Sequence, residues 1–416
     1  LNETQVENYL YLPETSIKMS LKLSDRINKL EESATILMSK KARELTAKGV
    51  DVINLSLGEP DFTTPKHICD AAKSALDAGY TFYTPVAGYL DLRQAIAGKL
   101  KRENGLEYSA DQIVVSTGAK QSLANAVMTL VNPGDEVIIP TPYWVSYSEM
   151  VKLAEGTSVF IATTVESNFK ITPAQLEAAI TPKSKVFMFS SPCNPTGSVY
   201  SKEELAALVK VFEKHPDIYI ISDEIYEHIN FGTEHNSIAS FDSIRDRVVI
   251  INGFSKGYAM TGWRLGYMAA TKAIAAACDK MQSQITSGTC SIAQRAAITA
   301  LTSDMTPTYE MREAFRKRRA IVYDLIKDIP GMKSNFPEGA FYFFPDVSSF
   351  FGKSYNGTVI KDANELALLL LSEAHVSTVS GESFGDPNSI RFSYATSEDK
   401  LIEAMRRIKA FLSELK

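Results

Sequence analysis

From about residue 66 to residue 310 the chain alternates short apolar runs with longer stretches of helical periodicity. The apolar runs are Ile113–Ser116, Glu136–Ile139, Ser158–Ala162, Lys185–Ser190, Ile218–Ser222, Val248–Asn252 and Leu265–Ala270. Several are apolar throughout rather than alternating, as strands covered on both faces must be. Helical segments such as Lys202–Lys214 lie between many of them. The pattern predicts an α/β fold with a mostly parallel seven-stranded sheet covered by helices. No full helix separates Leu265–Ala270 from the run before it, which makes that strand the candidate for antiparallel pairing.

The two ends of the chain read differently. Ser33 to Lys48 is helical in period and stops at Gly49, and Val52–Leu57 is strand-like. Beyond residue 311 come a basic helical run (Arg312–Lys327), a strand-like Gly339–Phe344, a helix over 362–375, a strand at Ser389–Ser393 and a last helix over 398–415. This is an α+β pattern, expected to fold with the N-terminal piece. The predicted division is an N-terminal extension (1–20, with Met19 placed like a natural start), a small domain made of 21–60 and 311–416, and a large domain over 61–310. No internal repeat or low-complexity linker is present.

Composition narrows the function classes. Of 416 residues, 45% are hydrophobic and 22% charged, with a net charge of -5 and no long Lys/Arg run. That is ordinary globular composition, and it argues against a nucleic-acid or membrane-surface partner. The apolar stretch Leu366–Leu371 is far too short to span a bilayer. Leu1 to Tyr11 is polar and does not read as a secretory signal. Four cysteines (Cys69, Cys193, Cys278, Cys290) without CxxC pairing suggest reduced thiols and a cytoplasmic location. Five histidines form neither HExxH nor a zinc spacing, so no metal is expected.

The candidate chemistry begins at Ser255-Lys256-Gly257. A lysine there sits in a small, Gly-flanked stretch, and Arg264 follows eight residues later, just ahead of an apolar run. A lysine becomes a Schiff-base nucleophile only in a special setting, and an arginine fork suits a phosphate. Together they are what pyridoxal 5'-phosphate (PLP) requires; an exposed loop lysine and a surface arginine would read the same way in isolation. Asp223 ends another apolar run, with Tyr226 three residues on; a carboxylate of this kind can keep a pyridine nitrogen protonated, or simply start a helix. Asn194, in Asn194-Pro195-Thr196-Gly197, follows a third run and can donate to a cofactor oxygen or serve a turn. Gly118-Ala119 opens a helix whose N–H groups can hold a phosphate. GxxxxGK[ST] and GxGxxG are both absent, against a nucleoside triphosphatase or a dinucleotide enzyme. Trp144 can stack on a planar ring or fill a core. Arg391, inside a strand of alternating character, needs a partner, either a substrate carboxylate or a structural acid.

Taken in order, GEPDF (58–62), YTPVAGYLDLR (83–93), STGAKQ (116–121), PYWVSY (142–147), NPTG (194–197), SDEIYE (222–227), SKGYAMTGWRLGY (255–267) and RFSYATSE (391–398) resemble the class I aminotransferases of PLP-dependent fold type I. The likeness is nearest to the bacterial Ib-type aspartate aminotransferases and runs from about Leu23 to the C-terminus. It implies an aspartate aminotransferase-like fold and ping-pong transfer between aspartate and 2-oxoglutarate. It implies Lys256 as the Schiff-base and proton-shuttling residue, Asp223 at the pyridine nitrogen, and Asn194 and Tyr226 at the ring oxygen. Trp144 would lie on the ring, and Ser255, Arg264 and the Gly118-Ala119 backbone on the phosphate. Tyr83 would come from the neighbouring subunit of a homodimer. Arg391 and the Gly58 backbone would hold the substrate α-carboxylate, and Lys120, with Ser33 and Thr35, the distal carboxylate. Two positions depart from the pattern: Gly253 stands where several relatives have a phosphate-binding serine, and Glu31 where prephenate-using relatives tend to be basic. The alternatives are an aminotransferase for aromatic or other amino acids or prephenate, lyase chemistry on the same scaffold, and a PLP-binding regulator. The last is disfavoured because no helix-turn-helix pattern accompanies the resemblance.

Overall fold

The computed structural model describes residues 23–232 and 235–416; the expected extension, residues 1–20, lies outside the described residues. Residues up to Leu30 and residues Glu31–Lys416 form two separate units. The described part of the first holds one short helix, α1 (Asp25–Asn28), started by Ser24, whose hydroxyl accepts from the Ile27 N–H at 3.4 Å.

The second unit begins with α2 (Ala34–Ala47), β1 (Ile53–Asn54), α3 (Lys66–Asp77) and α4 (Leu90–Asn104). The alternating region follows: β2 (Ile113–Ser116), α5 (Ala119–Leu130), β3 (Glu136–Thr141), α6 (Ser146–Leu153), β4 (Thr157–Ala162), α7 (Pro173–Ala179), β5 (Ser184–Ser190), α8 (Lys202–Phe212), β6 (Tyr219–Asp223), β7 (Val248–Gly253) and β8 (Gly266–Ala269). Then come α9 (Lys272–Ile285), α10 (Ser291–Thr302), α11 (Thr306–Lys327), β9 (Tyr342–Phe343), β10 (Ser354–Tyr355), β11 (Thr358–Val359), α12 (Ala363–Ser372), β12 (Val376–Ser377), β13 (Val379–Ser380), β14 (Ile390–Ser393) and α13 (Glu398–Ser413).

Strands β2 to β8 make one seven-stranded sheet in the order β2-β8-β7-β6-β5-β3-β4. Strand β8 runs antiparallel to both its neighbours, and every other adjacent pair is parallel. The strand that lacked a preceding helix is therefore the antiparallel one. The continuous apolar runs arise because each strand feeds two cores by its two-residue period. In β7, Val248 and Ile250 pack with α4, α8 and α10 residues such as Ile96, Leu208 and Ala297. Val249 and Ile251 face the other side, against α5, α6 and α9 residues such as Val127, Val151 and Cys278. Edge strand β4 is the exception, buried fully only at Ile161.

A third core joins the chain ends. Strand β1 pairs in parallel with β12, Ile53 opposite Val376, and β13, β14 and β9 form an antiparallel sheet. Ile53 and Leu55 share this core with Phe315 of α11, Leu366 of α12 and Ile408 of α13. Several expected boundaries move. Helix α11 starts at Thr306 rather than Arg312, because Pro307 fits a first helical turn. The strand expected over 339–344 forms a ladder only at Tyr342–Phe343, with Gly339 in an isolated bridge to Asn230, and β14 is buried at all four positions instead of alternating.

Because β8 is reversed, its first residue lies at the same sheet edge as the last residues of β2, β3, β5, β6 and β7. Ligands in open α/β sheets bind beyond the carboxyl ends of strands. Gly253 and Gly266 face each other across β7 and β8 at this edge. A Cβ on Gly253 would stand 2.8 Å from Gly266 Cα, and one on Gly266 2.6 Å from the Gly118 carbonyl carbon. All these neighbours are backbone, so a side chain at either glycine would force the backbone to shift. Gly266→Ala is expected to lower the unfolding free energy by about 1–3 kcal/mol, the usual range for over-packing. Gly98→Ala, on an exposed turn of α4 where a Cβ meets nothing within 4 Å, is expected to be neutral or stabilising. Urea denaturation of both variants checks this.

Candidate active site

The loops leaving this edge enclose a cavity of about 320 Å³. After β3 the chain delivers Trp144, after β5 Asn194, at the end of β6 Asp223 and Tyr226, and after β7 Ser255 and Lys256; Arg264 comes just ahead of β8. Helix α5 adds Ala119 and Lys120 at its start. Gly118 caps that helix with φ +82°, a conformation natural to glycine; Gln121 N–H donates back to its carbonyl at 3.0 Å, and the N–H groups of Ala119 and Lys120 at the helix start are left for a ligand. A Cβ on Gly118 would lie 3.0 Å from Cζ of Arg264. The missing side chain thus opens a cradle between a helix N-terminus and a guanidinium, suited to a phosphate. Ser33, Thr35, Gly58, Tyr342 and Arg391 add to the wall.

Burial governs the electrostatics. Asp223 is 5% exposed and accepts from Tyr147 OH at 2.7 Å and from the Ile225 N–H at 3.3 Å. Withdrawal from water nonetheless pushes its carboxyl up to about 6, the hydrogen bonds opposing. Lys256 Nζ donates to the Gly58 carbonyl at 2.5 Å. Burial brings its amine down to about 8, against the pull of Glu59 and with help from Arg391 and Arg264. Tyr226 OH and Tyr342 OH share a hydrogen bond of 2.7 Å. Arg391 is 2% exposed; it donates to Asn194 Oδ1 at 3.0 Å, to the Ser56 carbonyl at 2.6 Å and to Thr35 Oγ1 at 3.4 Å. Its Nε has no partner among the described residues, and its guanidinium lies 4.6 Å from the Tyr342 ring centre. Lys120 Nζ stands 4.9 Å over the Trp144 ring, its ammonium pushed below the usual lysine value by partial burial and by Arg264.

A buried amine, a buried carboxylate, an indole in the cavity wall and a phosphate cradle together fit PLP. The whole-chain comparisons agree. The model of the family described as aminotransferase class I and II matches residues 50–408. The chain belongs to the class I and II aminotransferases. It is 49% identical to the aspartate/prephenate aminotransferase of Cereibacter sphaeroides over 94% of this chain and 99% of that one. It is 46% identical to the aspartate aminotransferase of Bacillus subtilis over 95% and 100%. Among solved structures, the aspartate aminotransferase from Rhizobium meliloti superposes with a TM-score of 0.92 at 41% identity, covering 95% of this chain and all of that one. The protein is accordingly a PLP-dependent aminotransferase with an aspartate aminotransferase-like fold, acting on amino acids and 2-oxo acids.

Of the residues singled out from sequence, all but two line the one cavity. Gly118 stands just behind its wall, against Arg264. Tyr83 does not reach the cavity of its own chain; it is 99% exposed, beside a separate groove with residues 288–292. Thr35, expected near the distal carboxylate site, lines the cavity and accepts from Arg391 at 3.4 Å. Glu31 is not in the wall either: its carboxylate pairs with Lys152 of α6 at 3.3 Å and its N–H donates to Glu149. Sequence reasoning passed over Tyr147, Tyr342 and Ser56. Tyr147 lay inside the quoted PYWVSY motif, and the other two had no chemical signal of their own.

The value for Lys256 makes a pH-dependent prediction. Its folded value of about 8 lies below the usual 10.5, so the unfolded chain binds that proton more readily. Stability from this group is present above pH 10.5 and is lost as pH falls through 8. Lys256→Met is expected to stabilise the cofactor-free protein at pH 7 and to lose that advantage by pH 10.5, as read from urea midpoints across the range.

Proposed function

We propose that the enzyme moves the amino group of aspartate to 2-oxoglutarate, giving oxaloacetate and glutamate by a ping-pong sequence. The observation that carries this reading is the convergence of Lys256, Asp223 and Arg391 in one cavity that also holds an uncommitted cation, Lys120. Relatives of nearly full length named aspartate aminotransferase support the substrate.

When bound, PLP supplies a carbonyl carbon that takes up the amino group and a protonated ring that draws off the negative charge left at Cα. Lys256 is the covalent anchor and, once released, the base that takes the Cα proton; an amine near 8 is largely protonated at neutral pH yet titrates close enough to serve. Asp223 holds the proton on the ring nitrogen. Tyr226 and Asn194 hydrogen-bond the ring oxygen, and Trp144 offers its indole face. Ser255, Arg264 and the Gly118-Ala119 backbone grip the phosphate. Arg391, with Gly58 beside it, takes the α-carboxylate through its fork. Lys120, with Ser33 supporting it, reads the distal carboxylate, and Thr35 orients Arg391.

A second acceptor, prephenate, is favoured by the names of relatives at 46–49% identity, which are aspartate/prephenate aminotransferases. The Glu31 charge was the objection to it; that charge is already paired with Lys152 off the cavity wall. We also propose that, of the expected small domain, residues 31–60 fold with 311–416 against 61–310. The protein works as a cytoplasmic homodimer in which each protomer lends Tyr83 to its partner's cavity. Full exposure of Tyr83 and 82% exposure of Phe82 support that contact, and all four cysteines are free thiols.

Three experiments test this. Mixing the holoenzyme with a panel of amino acids and following cofactor absorbance should give the largest response with aspartate and glutamate; a larger response with aromatic amino acids would overturn the substrate. Arg391→Lys should lower kcat/KM about ten- to a hundred-fold for every amino acid, the loss of a charged hydrogen bond. Lys120→Ala should lower it far more for aspartate than for alanine; an equal loss for both would assign Lys120 to the phosphate cradle.

A further inference from the structure

The segment that carries Asp223 and Tyr226 has a second side. Glu224, Glu227 and His228 do not line the cavity and point into a buried charged cluster. Glu227 Oε1 accepts from Lys99 Nζ of α4, and Oε2 accepts from Asn104 Nδ2 at 3.1 Å. Lys99 is 1% exposed and donates also to Asn104 Oδ1 at 2.9 Å. Burial alone would raise the Glu227 carboxyl; Lys99, then His228 and His235, hold it far below the usual carboxylate range. His228 Nε2 lies 3.0 Å from Glu103 Oε2 and 3.8 Å from Glu227 Oε1. The other side of the imidazole packs under Gly257, where a Cβ would stand 2.6 Å from His228 Nδ1 and 3.0 Å from its Cβ. The Tyr258 ring meets it edge-on at 5.5 Å. The charged and titratable groups facing the imidazole are thus Glu103 and Lys99 of α4, Glu227 of its own turn, and Tyr258 of the lysine turn.

His228 follows Tyr226 by two residues and touches the residue after Lys256. One ring therefore bridges the two turns whose side chains do the chemistry, and its tilt is set by acids anchored on a third element. We infer that His228, clamped by Glu103 and Glu227 beneath Gly257, is a positioning residue that sets Lys256 against Tyr226. The inference rests on the reading of Lys256 as the cofactor's anchor. A histidine that merely fills the core would affect stability and leave the proton affinity of Lys256 alone.

The test is a pH titration of the visible absorbance of substrate-free holoenzyme, with kcat and KM for aspartate measured alongside. His228→Ala is expected to shift the absorbance midpoint by about half a unit or more, where one unit is a tenfold change in proton affinity. It should lower kcat about tenfold with little change in KM, since misplacement of about 1 Å can cost a hundred-fold. His228→Gln, whose amide can still donate to Glu103, should restore most of both. An unchanged midpoint and kcat in a folded His228→Ala enzyme overturns the inference, whatever its melting temperature. If that variant does not fold, Glu103→Gln decides: its residue is partly exposed, and a midpoint shift supports the clamp while none overturns it. A wild-type holoenzyme with no absorbance from a cofactor on Lys256 would overturn the functional reading instead.

Discussion

The site depends on two ionisable groups kept from water across one cavity. If Asp223 and Lys256 answered mainly to each other, attraction would hold the carboxylate below its ordinary value and the ammonium above its own. The reverse is found, with the acid raised to about 6 and the amine lowered to about 8, and burial is the leading cause of both. Desolvation therefore outweighs their mutual attraction. Each group is left close to neutrality, where proton transfer is easiest to reverse. Four cations, Lys120, Lys256, Arg264 and Arg391, stand in the wall against the single carboxylate of Asp223. That imbalance suits ligands bearing a phosphate and carboxylates, and it disfavours cationic ones.

The fold keeps this charge together by topology more than by any one bond. Six strands end and one reversed strand begins at a single edge, so residues from 118 to 264 converge there although they are far apart in sequence. The backbone contact of Gly253 and Gly266, with Gly118 close behind, lets α5 bring its N-terminus against Arg264. The third core then supplies what the sheet does not. Tyr226 belongs to that core together with Tyr342, so the cavity's tyrosine pair is fixed by the part of the chain that also carries Arg391.

Much of this was legible in the sequence because it is local. Continuous apolar runs marked the buried strands, and a residue just past each run marked the cavity: Asp223, Asn194 and Lys256 all follow that rule. The antiparallel strand was legible from a missing helix. Residues whose meaning is set by distant partners were not legible. Ser56 contributes only a carbonyl, and Tyr342 matters through Tyr226, 116 residues away. The surroundings of Glu31 were hidden for the same reason: a charge near the site in sequence meets Lys152 in space, which Glu149 also shares. Strand β14 looked alternating because Arg391 and Ser393 are polar, yet every position is buried; polarity here marks a ligand site and not a solvent face.

In the proposed reading, the two ends of a dicarboxylic substrate would be read by different parts of the molecule. Arg391 is fixed from three directions, by Asn194 of the sheet edge, by the Ser56 carbonyl after β1 and by Thr35 at the start of α2. Such a guanidinium has little freedom to follow a moving ligand, which suits the carboxylate common to all amino acids. Lys120 is held differently. It sits at the first turn of α5, over the Trp144 ring, with a flexible four-carbon stem and partial exposure. An ammonium of that kind can meet carboxylates of different reach and yield to a neutral side chain at modest cost. On that proposal, a rigid fork for the constant group and a mobile charge for the variable one would let a single cavity accept both aspartate and the longer 2-oxoglutarate, as a ping-pong enzyme must.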